Sequence, residues 1–209
     1  MLYLIWRFKT PICVITLLIL TTVACQSSPA KCCQLDYGLL EITDLAGNWT
    51  AAGDIGQEMM ESTVKIHRYE QAPVVENAKR YLLRDSDPSK PTVGIFQDLR
   101  RYERAAPPLA QLDFRVFSNA EASSSFDPGV AIVGESSQAS CQSDNPSNPA
   151  KSLTLCVAEA RYRHLISITF FEFAGSVSDT DIREIINQAL SKTDQRIKQI
   201  DQHWSEQTQ

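Results

Sequence analysis

Six cysteines and three histidines are the residues of this 209-residue chain with the most chemistry to offer. A cysteine thiolate is a nucleophile and a metal ligand, and paired thiols make disulfides. Cys32 and Cys33 are adjacent. That spacing suits a vicinal redox pair or two free thiols, and it lacks the two-residue spacer of zinc sites. His67, His164 and His203 are scattered, without the His-Glu-x-x-His pattern that puts two imidazoles on one helix face. There is no glycine-rich phosphate loop. Ser136 follows Gly134-Glu135, but Ser137-Gln138 stands where the closing glycine of a Gly-x-Ser-x-Gly nucleophile elbow belongs. No catalytic residue is therefore assigned, and neither a cofactor nor a metal is expected. Two chemical readings stay in competition: a hydrolase whose residues converge from distant segments, and a redox carrier using Cys32-Cys33.

The amino terminus has a different kind of chemistry. Arg7 and Lys9 precede an apolar run from Ile12 to Val23, and no acidic residue occurs before Asp36. This is the layout of a secretory signal. The run has twelve residues, whereas a helix spanning a hydrocarbon core of about 30 Å needs roughly twenty. Extending it back to Leu2 would place Arg7 and Lys9 inside the span, at about 2.5–3.5 kcal/mol each near its centre. The run ends in Thr22-Val23-Ala24-Cys25, which resembles the lipobox of bacterial lipoproteins, although Thr22 stands where that family most often carries leucine. The resemblance covers residues 1–25. It implies cleavage between Ala24 and Cys25, a diacylglyceryl group on the Cys25 sulfur, and in many bacteria acylation of the freed amine. Each buried methylene contributes about 0.8 kcal/mol and one chain holds only marginally, so two or three chains would anchor stably. It also implies residence at the cell membrane or outer membrane, on the extracytoplasmic side. Gln26, instead of aspartate, follows the cysteine, and in envelopes of the enteric type that implies outward sorting.

With residues 1–24 removed, 185 residues remain, enough for one domain with a real core. They hold 25 acidic against 18 basic residues, a formal charge of −7. Such a chain is poorly suited to phosphate-backbone binding, so no nucleic acid is expected as partner. The expected organisation is a signal peptide at 1–24, a lipid-anchored amino terminus and flexible tether at 25–44, and a single extracytoplasmic domain at 45–209. Of the four cysteines left once Cys13 and Cys25 are set aside, Cys141 and Cys156 enclose fourteen residues, including the turn-rich run Asp144 to Pro149. A bridge across the base of that loop is the preferred pairing, contributing about 3 kcal/mol on the chain-entropy model.

The elements that position these residues read as α+β. Trp49 opens a first strand through about Ile55, with its indole as a core anchor. Ser62–Ala72 alternates like a strand, and Val74–Arg84 fits either strand or helix. Thr92 looks like the N-cap of a helix through about Ala105, with Ile95, Phe96, Leu99 and Tyr102 or Glu103 along one face and Pro107-Pro108 as its stop. Ala110–Phe117 resumes a strand, and Ser118–Gly129 is a long irregular loop. Strands at Val130–Ser140, Ser152–Arg161 and His164–Phe173 follow as an antiparallel meander. Ser178-Asp179-Thr180-Asp181 resembles a capping box. It opens a long helix whose stripe (Ile182, Ile185, Ile186, Ala189, Leu190, Ile197, Ile200, Trp204) needs a sheet to cover. The expected fold is an antiparallel sheet with this helix packed on one face and one shorter helix. That order of elements is similar to PsbP-like and related small extracytoplasmic domains, with no diagnostic motif. The expected function is that of a lipid-anchored envelope protein, a non-catalytic binding or scaffolding module for a small ligand or another envelope protein.

Overall fold

A computed structural model describes residues 34–51, 73–84, 92–109, 124–144 and 152–207. A short 3-10 helix, Leu35–Gly38, precedes seven strands: β1 (Trp49–Ala51), β2 (Val74–Arg84), β3 (Thr92–Tyr102), β4 (Ser124–Phe126), β5 (Ser136–Ser143), β6 (Leu153–Arg161) and β7 (Leu165–Ala174). One long helix, α1 (Asp179–Gln207), follows. The strands form one antiparallel sheet in the order β1-β2-β3-β7-β6-β5-β4. The fold is therefore α+β, an antiparallel sheet carrying a long carboxy-terminal helix and one short helical element.

The helix forms where the capping residues and apolar stripe direct it. The Asp181 N–H donates to Ser178 Oγ at 3.1 Å, and the Ser178 hydroxyl donates to Asp181 Oδ2 at 2.7 Å, so the side chains close on each other at the positive end of the dipole. Ile182, Ile186, Ala189 and Leu190 then pack over Val93, Ile95, Phe171 and Phe173. Further along, Ile197 meets Leu99 and Leu165. The helix thus runs the length of β3.

The segment Thr92–Ala105 is not a helix. Residues 92–102 form β3 in the middle of the sheet, buried on both faces. A strand covered on both sides has no reason to alternate apolar and polar residues, and its apolar positions can then fall at helical spacings by accident. Val93 and Ile95 are β-branched and flank Gly94, which costs a helix interior about 1 kcal/mol. The short helical element lies instead at Leu35–Gly38, inside the stretch 25–44 assigned to the tether. From Leu35 onward that stretch is folded onto the domain: Leu35, Leu39 and Leu40 are all buried. Arg196 fastens it, donating to the Tyr37 carbonyl at 3.2 Å and pairing with Asp44 at 2.8 Å.

Other boundaries shift for local reasons. The strand expected over 130–140 begins only at Ser136, because Gly134 has φ 63° and turns the chain first. Phe126 and its neighbours, inside the expected loop, form the edge strand β4. Val74–Arg84 resolves as strand. Expected strands at 62–72 and 110–117, together with Ala24, Cys25, Cys32, Cys33 and His67, lie outside the described residues.

Candidate binding face

Cys141 and Cys156 sit directly opposite each other on β5 and β6 and are joined by a disulfide. Both are fully buried beneath α1, beside Phe171. Their strands continue past the bridge, with the Ser143 and Thr154 hydroxyls 2.7 Å apart. Asp144 closes the stem by accepting the Leu153 N–H at 2.7 Å. The bridge is structural, on the same face as the helix core. Trp49 is buried in that core too, its indole N–H donating to the Ala46 carbonyl at 3.0 Å.

The remaining chemically interesting residues at the sequence level are absorbed by the backbone. Ser137 Oγ accepts the Val133 N–H at 3.1 Å, and His164 Nδ1 lies 3.0 Å from the Arg104 carbonyl. Ser136 stands opposite Arg161 on β6. Among the described residues, no group of three His, Cys, Asp or Glu side chains could hold a metal ion.

The helix face meets a buried amide internally at Gln97, although the Tyr162 hydroxyl on the same face has no hydrogen-bond partner among the described residues. Gln97 on β3 is buried, yet its carbonyl accepts the Leu40 N–H at 2.8 Å. Its amide donates to Thr193 on α1 at 2.9 Å and to Ser167 on β7 at 3.3 Å. One side chain thus joins four segments, with both amide donors and the carbonyl oxygen partnered.

The opposite face is built differently. Its floor is the row Tyr81, Phe96, Phe170, Val157, fixed by register across β2, β3, β7 and β6. The Phe96 and Phe170 rings stack with centroids 6.0 Å apart, and Ile166 and Ile168 extend the floor. A polar row flanks it on one side, and Glu172 stands between Gly94 and Leu155 on the other. On one side, the register places Lys79, Asp98, Ile168, Glu159 and Gln138 in line. Gln138 donates to Glu159 at 2.6 Å. Asp98 is 3% exposed, and its Oδ2 takes the Arg100 Nε at 2.9 Å; among the described residues its Oδ1 has no hydrogen-bond partner, nor does the buried Tyr102 hydroxyl. Asp98, Arg100 and Tyr102 alternate along one strand and so share this face. Burial works against the Arg100 charge, but the hydrogen bond and charge of Asp98 outweigh it and hold the guanidinium ionised. Burial also pushes the Tyr102 phenol up.

On the other side of the floor stands Glu172, paired in register with Gly94. Burial raises its carboxyl above the usual range. Tyr81 is raised by burial and then by the Glu172 charge. Gly94 makes this corner fit: a Cβ there would lie 2.7 Å from the Tyr81 hydroxyl, so the phenol can lean across the strand only because the side chain is absent. Among the described residues the face therefore combines an aromatic floor buried from solvent, two buried oxygens, Asp98 Oδ1 and the Tyr102 hydroxyl, without a hydrogen-bond partner, and one half-exposed corner at Tyr81 and Glu172. The half-exposed corner of Tyr81 and Glu172 is the part of this face open to solvent, and its oxygens suit a group that brings N–H donors or positive charge.

A helical pattern over Thr92–Ala105 scatters Asp98, Arg100 and Tyr102 around a cylinder, so the sequence alone does not bring them together. Read as a strand, their two-residue spacing is the signal. No protein-family model, curated protein or solved structure matches the chain, so its reading rests on its own residues.

Proposed function

We propose that this chain is a lipid-anchored protein of the cell envelope, held on the extracytoplasmic side through Cys25, with a domain that works as a non-catalytic binding or scaffolding module. The observation that carries the reading is the run Thr22-Val23-Ala24-Cys25 behind a short apolar segment and two basic residues. Two structural features support it. The fully buried Cys141–Cys156 bridge suits an oxidising compartment. Packing from Leu35 onward leaves a short tether between Cys25 and the folded domain. The half-exposed corner of Tyr81 and Glu172 is the surface for recognition, with a donor-bearing ligand or a segment of another envelope protein as its occupant.

Membrane fractionation of the full chain tests the anchor. Wild-type protein sediments with membranes and enters the detergent phase, whereas Cys25→Ser is recovered in the aqueous fraction or stays as uncleaved precursor. Identical aqueous behaviour of both forms would contradict the proposal.

A further inference from the structure

One end of the domain stands out from an otherwise acidic chain. The exit of β3, residues 100–106, and the β6–β7 turn, residues 161–165, are laced together. The Tyr102 N–H donates to the His164 carbonyl, the Ala106 N–H to the Arg163 carbonyl, and Arg161 Nε to the Ala106 carbonyl, each at 2.9 Å. These two segments hold Arg100, Arg101, Arg104, Arg161 and Arg163 against one carboxylate, Glu103. Three of the arginines are engaged, with Asp98, Glu76 and Glu135. Arg104 and Arg163 are exposed and form no ion pair among the described residues. The opposite end of the sheet, where α1 begins, carries Asp127, Asp144, Asp179 and Asp181. The exposed Arg104 and Arg163 thus stand at one end and these aspartates at the other, where Arg84 and Arg183 also lie.

The chain enters the domain at the arginine end. Leu35 packs with Leu99, Leu165 and Ile197, and the Arg101 guanidinium lies 5.2 Å over the Trp204 ring near the end of α1. Eight residues, 26–33, separate Cys25 from Gln34; they include Lys31 and no acidic residue. Fully extended, that connection reaches about 32 Å, and as a flexible coil on the order of 17 Å. An acylated Cys25 would keep this end close to the bilayer and leave the acidic end free to turn away.

Resting on the proposed Cys25 anchor, we propose that the arginine end docks against an anionic lipid surface, with Arg104 and Arg163 engaging head-group phosphates. Guanidinium groups pair with phosphate oxygens through two parallel hydrogen bonds, and basic groups next to an anchor gain from a negative surface potential. The attraction acts over about 8–10 Å, so it sets orientation only because the tether is short.

The two tryptophans after the leader mark the two ends: Trp204 beside Arg101, and Trp49 opposite Arg84 at the far end of β2. Lipidated protein carrying Trp49→Phe or Trp204→Phe is reconstituted into vesicles doped with a head-group spin-labelled lipid. In phosphatidylglycerol-containing vesicles Trp204 is quenched several-fold more than Trp49. The difference disappears in purely phosphatidylcholine vesicles and in the Arg104→Glu/Arg163→Glu variant, which still floats with the vesicles. Equal quenching of the two tryptophans in anionic vesicles, or a difference unmoved by charge reversal, would overturn the docking while leaving the anchor intact. A wild-type chain that floats with no vesicle of either composition has lost the anchor itself, and the docking falls with it.

Discussion

Gln97 and Asp98 are neighbours on β3, buried to nearly the same extent, and they point to opposite faces of the sheet. Gln97 spends its hydrogen-bonding capacity on Leu40, Ser167 and Thr193. Asp98 has one oxygen that no described residue meets. The same contrast recurs on β7, where Phe171 lies in the helix core and Glu172 beside it is held above the usual carboxylate range by burial. Among the described residues each face buries one tyrosine hydroxyl without a partner, Tyr162 on the helix face and Tyr102 on the other, but only the second face also buries unpartnered carboxylate oxygen. Stability is organised on the helix face, whereas the costs on the opposite face make sense if something is to be recognised there.

Substitutions at adjacent positions can break that contrast. The largest effect belongs to Phe171→Ala, which opens a cavity among Phe173, α1 and the disulfide, where the surroundings are least free to collapse. It should lower unfolding free energy by about 3–5 kcal/mol in urea titrations. A loss under about 1 kcal/mol would show the helix face to be less close-packed than described. Gln97→Ala comes next. It leaves the Leu40 N–H without its acceptor and should cost about 1–3 kcal/mol, with amide exchange at Leu40 accelerating before that of β7; unchanged exchange there would remove Gln97 from its tying role.

The smallest effect has the opposite sign. Because the folded-state pKa of Glu172 is raised, its contribution favours folding below the ordinary carboxylate range and is lost as pH rises through the raised value. Glu172→Gln should therefore stabilise the protein at neutral pH relative to wild type, and the gain should vanish at pH well below the usual carboxylate value. A urea midpoint measured across that window reads this directly. A destabilised Glu172→Gln at neutral pH would mean that the carboxylate contributes to the fold, and the contrast between the faces would weaken.

The parts of this fold written in local chemistry were legible in the sequence. The Ser178 cap and the isoleucine stripe define α1 without tertiary help. The Cys141–Cys156 spacing with its turn-rich loop gave the disulfide, and the β-branched run of Leu165–Ala174 gave β7. The misreadings come from burial. β3 is covered on both sides, so its pattern carries no period of two, and the same loss of alternation hid Asp98, Arg100 and Tyr102. Leu35, Leu39 and Leu40 read as tether because no helix or strand pattern marks a segment whose only reason for burial is the groove beside α1. Gln97 looked like an ordinary polar residue, since its partners are distant in sequence.

Both faces belong to a domain that the proposal ties to a membrane through one sulfur atom, and the mass of the mature amino-terminal peptide tests that most directly. The account predicts a peptide beginning at Cys25 and carrying the added mass of a diacylglyceryl group, absent from Cys25→Ser. A wild-type peptide with an unmodified Cys25, or one still joined to Ala24, would contradict it.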